Sequence, residues 1–199
     1  MPIIKRQSGY YQRGTSLLEV LITIVILAFG LLGLAGLQGK IQQAEVESFQ
    51  RAQATLLLAD MHERISVNRA NAANYVSANL IGTLDSQPTD CTTVTPRPPQ
   101  ADQDICEWSN ALKGASEKMG TNNTGAMEGG RGCIGQVQAP DPSPGVCTPG
   151  IYQITVVWQG MNPTAAPGPG LTCGQGLYTQ DTTRRAISSQ VTVGLPNCI

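Results

Sequence analysis

The sequence predicts an α+β fold in two layers, a long N-terminal helix with a small antiparallel sheet packed on its second half. Three observations predict it. Leu17 to Leu37 is apolar apart from Glu19 and Thr23. Beyond Gln38 the apolar residues thin into a stripe, with Ala54, Leu57, Leu58, Met61 and Ile65 at i, i+3, i+4, i+7 and i+11, the repeat of one helix face. Near the C-terminus, Ile151 to Gln159 and Thr183 to Val193 alternate apolar with polar residues, as half-buried strands do.

In chain order, Met1 to Gly14 carries Lys5, Arg6 and Arg13 and no acid, so it is expected to stay cytoplasmic. The apolar run that follows is long enough, at roughly 30 Å of helix, to cross the hydrocarbon core of a bilayer. A secretory signal would be cut after that run at a small-residue site. Here the run passes into the amphipathic stripe without Pro or a turn cluster, so the expected cut lies before it, at Gly14. Glu19 stands two residues inside the run, and a carboxylate in lipid normally marks function and needs a partner. Gly30, Gly33, Gly36 and Gly39 recur every third residue; such spacing lets membrane helices approach closely and marks a weak spot in the helix. The expected divisions are a leader at 1–14, a transmembrane or filament-core half of the helix at 15–38, an amphipathic half at 39–80 and a globular head at 81–199.

The helix is expected to run from Thr15 to about Ala73 and to fray between Asn68 and Asn79. Its stripe faces the sheet, while Phe49, Ala52, Leu56 and Ala59 lie to one side, placed to contact other subunits. Thr83 to Asp104, with Pro88, Pro96, Pro98 and Pro99, reads as loop. Ile105 to Met119 reads as a short helix with Trp108 and Leu112 on its inner side. Gly120 to Gly132 reads as a flexible loop, Cys133 to Val137 as a third, shorter strand, and Met161 to Gly176, crowded with Pro and Gly, as irregular.

Six cysteines, Cys91, Cys106, Cys133, Cys147, Cys173 and Cys198, all follow the helix. An even count in a loop-rich exported region implies disulfides. The spacing does not settle which pair; the expectation is sequential pairing, Cys91–Cys106, Cys133–Cys147 and Cys173–Cys198. A zinc site would need CxxC spacing or a histidine among them, and neither is present. His62 is the only histidine and reads as a helix-surface residue.

With no nucleophile motif, no phosphate-binding loop and no second histidine, no enzymatic chemistry and no cofactor are expected. Gly129-Gly130-Arg131-Gly132 reads as a turn, and Asn122-Asn123-Thr124 as a chance sequon. Removing Lys5, Arg6 and Arg13 from thirteen Lys plus Arg leaves ten against fourteen acids, a net charge near −4. Arg184-Arg185 is the only basic cluster beyond the leader, read as solvated at the start of a strand, so no nucleic-acid partner is expected.

Gly14-Thr15-Ser16-Leu17-Leu18-Glu19-Val20-Leu21, with Phe29 to Gln38, resembles the N-terminal signal of type IV pilins and pseudopilins, and looks most like that of the PilV-type minor pilins. The resemblance implies the type IV pilin-like fold, cleavage between Gly14 and Thr15 by a prepilin peptidase, and N-methylation of Thr15. Thr15 stands where major pilins usually carry Phe, which points to a minor subunit. It also implies a register role for Glu19, whose carboxylate would meet the amine of residue one on a neighbouring subunit. The implied role is priming of pilus assembly and the tip complex, in adhesion and twitching motility. The implied partners are other minor pilins, the major pilin, a tip adhesin, the prepilin peptidase and the inner-membrane assembly platform. Location would be the inner membrane, single-pass with a periplasmic head, and then the surface pilus. The alternatives are a minor pseudopilin of type II secretion, or a tip adhesin with its ligand site at Met161 to Gly176.

Overall fold

The computed structural model describes residues 14, 16–94, 99–115, 117–120, 122–125 and 127–195. The chain divides into two compact units, Met1–Glu45 and Val46–Ile199.

In the first unit, helix α1 (Leu17–Val67) begins. Its apolar side chains there are exposed, Leu17 at 88 % and Phe29 at 72 %, and none of the described residues covers them. Such a surface is stable only against lipid or other helices. The helix runs unbroken through Gly30 to Gly39, and a β-carbon at any of those four glycines would meet nothing within 4 Å. Among the described residues no contact therefore requires glycine there.

In the second unit, the amphipathic part of α1 buries Gln50, Ala54, Met61 and Ile65, with Leu57 and Leu58 half-buried beside them. The predicted stripe is thus the packed face, and Phe49, Ala52, Leu56 and Ala59 are exposed. The helix ends at Val67, short of the expected Ala73. Asn68 leaves helical geometry at φ −97°, ψ 40°, and the chain tightens into a 3-10 turn over Arg69–Tyr75. Tyr75 is fully buried by that turn, which helical continuation would prevent.

Helix α2 (Pro99–Leu112) starts and ends about six residues before the expected span. Both ends have local causes. Proline at the first helical position has no N–H to waste and the right φ. At the other end Gly114 sits at φ +77° while Ala115 donates to the Asn110 carbonyl and Gly114 to that of Ala111, the paired bonds of a Schellman stop.

The sheet has the order β1 (Ile81–Gly82), β4 (Arg131–Gln138), β5 (Gly150–Gln159) and β6 (Arg184–Val193), all antiparallel. A separate hairpin joins β2 (Lys118–Met119), at the end of the stretch expected to be helix, to β3 (Asn122–Asn123), in the stretch expected to be flexible loop. Tyr152, Ile154, Val156 and Trp158 of β5 share one core with the α1 stripe and with Ala101, Ile105, Trp108 and Leu112 of α2. Trp108 is fixed at its centre, its Nε1 donating to the Leu57 carbonyl of α1 at 2.8 Å. Gly132 of β4 faces the indole so closely that a β-carbon would lie 2.1 Å from it. The Gly129–Gly132 stretch is therefore packed wall, not a free turn.

Candidate functional site: the N-terminal motif and the strapped sheet face

At the start of α1, the Ser16 carbonyl accepts from the Glu19 and Val20 amides at 3.0 and 3.3 Å, and the helix opens at Leu17. Gly14 is exposed, with open space where a β-carbon would be. Thr15 lies outside the described residues. Of the two polar side chains in the apolar run, Thr23 satisfies itself by donating to the Val20 carbonyl at 2.8 Å. Among the described residues no side chain partners Glu19. A carboxylate in the first turn is favoured by the helix N-terminus, but that interaction does not neutralise it in lipid.

The cysteines correct the expected pairing. Cys91 is joined to Cys106, as the sequential pattern has it, tying the Pro-rich segment to α2. Cys133, however, is joined to Cys173, so neither Cys133–Cys147 nor Cys173–Cys198 forms. Cys147 is also disulfide-bonded, and Cys198 lies outside the described residues. The reason is spatial. Cys133 pairs in register with Thr155 on the face of the sheet opposite the helices, and the irregular segment after β5 folds back across that face, carrying Cys173 to it.

The same strap explains Arg184 and Arg185, which were expected to be solvated. Arg184 is buried, with its Nε on Asp181 Oδ1 at 2.6 Å and its Nη1 on the carbonyls of Leu171 and Cys173 at 2.6 and 3.0 Å. The guanidinium holds the Asp181 carboxyl below its ordinary range. Arg185 donates to Glu47 of α1 at 3.1 Å and to the Asn162 carbonyl at 2.7 Å. Glu47 also accepts from the Met161 amide at 3.1 Å. Tyr178, stacked under Arg131 at 5.4 Å, donates to the Gly129 carbonyl. Burial pushes the Tyr178 hydroxyl upward in pKa, only partly opposed by Arg131.

Between strap and sheet lies a cavity of about 500 Å³. Gln153, Thr155, Leu80, Leu171, Leu177 and the Cys133–Cys173 disulfide line it. Its described lining carries no charged group. Sequence reasoning pointed to the strap but missed Gln153 and Thr155, which read there as the solvated face of a strand.

A third cluster joins α1 to α2. Arg64 meets Asp60, Asp104 and Glu107 at 3.1, 2.9 and 2.8 Å, and Tyr75 donates to Asp104 at 2.5 Å. Burial, followed by the Asp104 bond, pushes the Tyr75 hydroxyl up to about 12. Among the described residues no group of three or more His, Cys, Asp or Glu side chains is arranged to hold a metal ion.

Residues 36–110 match the family model described as type IV pilin Tt1218, and residues 9–35 match that of the prokaryotic N-terminal methylation motif. Both matches support the type IV pilin superfamily. No curated protein and no solved structure matches the chain. Type IV pilins are structural subunits, and their methylation motif implies processing by prepilin peptidase, a membrane anchor and assembly with other pilins. The pilin match ends at Asn110 within α2, so β4, β5, β6 and the strap lie outside both matched regions.

Proposed function

We propose that this pilin is a minor subunit of a type IV pilus, of the PilV type, cleaved after Gly14 and N-methylated at Thr15. It waits in the inner membrane with its head in the periplasm. From there it enters the primed tip of the filament with other minor pilins, the major pilin and a tip adhesin, and so serves adhesion and twitching motility. The observation that carries this reading is Glu19, without a partner among the described residues and the one acid in the exposed run Leu17–Leu37, which follows a basic, glycine-terminated leader.

The mechanism follows from solvation. Moving the helix from lipid to a bundle of neighbouring helices exchanges one apolar surrounding for another, so the apolar side chains contribute little net direction. Glu19 supplies the direction. Its carboxylate is costly in either medium until a cation meets it, and the amine of Thr15 on an adjacent subunit is that cation. The pair forms in one register only, which orders the stack.

Glu19→Val tests it. The mature chain should still have the mass expected for cleavage at Gly14 and one added methyl group, while its recovery in sheared filaments falls about tenfold or more, the scale of one lost ion pair away from water. Normal incorporation of the variant, or a mature mass that retains the leader, would remove the reading.

A further inference from the structure

The cavity between the strap and the sheet has no part in filament assembly through Glu19. At about 500 Å³ it lies within the range of about 300–1,000 Å³ that small-ligand pockets occupy. Its floor is the face of β4 and β5 turned away from the helices, where Gly135 pairs in register with Gln153 and Cys133 with Thr155. Leu171 and Leu177 of the strap, together with Leu80, give it apolar surface.

Two features of that floor have no cause within the described fold. Thr155 is buried at 5 % exposure, yet among the described residues its hydroxyl meets no hydrogen-bond partner. A buried hydroxyl left unpaired is costly, so whatever fills the cavity must offer it a polar atom. Gly135 stands inside β4, where glycine weakens a strand and often marks the close approach of another group. A β-carbon there would meet nothing within 4 Å, so no described neighbour requires the missing side chain. The space it leaves belongs to the cavity.

The chemistry of the lining selects the occupant. The Gln153 amide and the Thr155 hydroxyl both donate and accept, which matches ligand hydroxyls that do the same. The leucines suit the C–H face of a sugar ring, and the described lining holds no charged side chain to pair with an acid. A wholly apolar ligand would leave Thr155 unpaired. An added peptide strand would need a free edge, and β5 is already paired with β4 on one side and β6 on the other. We infer that the cavity is a glycan subsite, taking a neutral sugar ring with Thr155 and Gln153 as its hydrogen-bond partners. The subsite gives the subunit's adhesive role a ligand class, and rests on that role only for the head's arrival at the cell surface.

The test is a printed panel of neutral glycans, acidic glycans and extended peptides, probed with the full chain in a polyoxyethylene detergent that carries no sugar head group. The wild type should be retained on neutral glycans. Gly135→Ile fills the cavity from an open strand position, and Thr155→Val removes the hydroxyl while keeping the side chain's shape. Each should lower that retention about tenfold or more, one by loss of space and the other by loss of a buried polar partner. Neither should lower the thermal unfolding midpoint, so the loss reads binding and not folding. Retention of nothing (water alone in the cavity), retention on acidic glycans or peptides alone, undiminished retention in either variant, or a lowered midpoint in either would overturn the subsite. None of these results bears on recovery of the wild-type chain in sheared filaments, which tests the filament reading by itself.

Discussion

The Cys133–Cys173 disulfide closes the strap over the sheet, and its removal has a magnitude that the structure sets. It spans 40 residues of sequence, against 15 for Cys91–Cys106. In the chain-entropy account the constraint acts on the unfolded chain and grows with the logarithm of the loop, giving about 4 kcal/mol for the longer loop and about 3 kcal/mol for the shorter. For a chain of this size, 4 kcal/mol corresponds to a fall of roughly 8–16 °C in unfolding midpoint. The assay is thermal unfolding of the full chain in detergent, comparing Cys133→Ala/Cys173→Ala with Cys91→Ala/Cys106→Ala, with limited proteolysis of residues 161–180 as a second readout. The first pair should be the more destabilised, with cleavage appearing in the strap. Equal or smaller destabilisation of that pair, with the strap still resistant, would refute the reasoning, because Arg184 and Tyr178 would then hold the strap unaided.

Two further outcomes follow from the core. Gly132→Ala should destabilise by at least about 2 kcal/mol in denaturant unfolding, since its β-carbon would lie 2.1 Å from a Trp108 ring that the Leu57 carbonyl holds in place. Burial, and then the Asp104 bond, push the Tyr75 hydroxyl up to about 12 from its ordinary 10. Its contribution is therefore fully present below pH 10 and is lost as pH rises through 12. Comparing wild type with Tyr75→Phe across that window should show the wild-type advantage vanishing, and parallel curves would count against the Tyr75–Asp104 bond.

Much of the fold was legible because it depends on periodicity. The stripe from Ala54 to Ile65 and the alternation in β5 are properties of neighbours in sequence, and a helix or strand turns them directly into a face. The two ends of α2 were equally local: Pro99 carries the start and Gly114 the stop, and a reading that weighed the loop-like Pro, Thr and Asp around them passed over both. The 3-10 turn that follows Asn68, by contrast, buries Tyr75 against Asp104, 29 residues further on, and no local pattern announces it.

The candidate site divides in the same way. Gly14, Thr15 and Glu19 stand out within a few residues because the feature that marks them, an acid in an apolar run behind a basic leader, is itself a sequence. What only the tertiary structure decided depends on distant segments meeting on one surface. Cys133 takes Cys173 and not Cys147 because a strap of irregular chain crosses the sheet face. Arg185 finds Glu47 across 138 residues. Periodicity is written along the chain, whereas pairing, enclosure and strain arise from the fold that brings separated residues together.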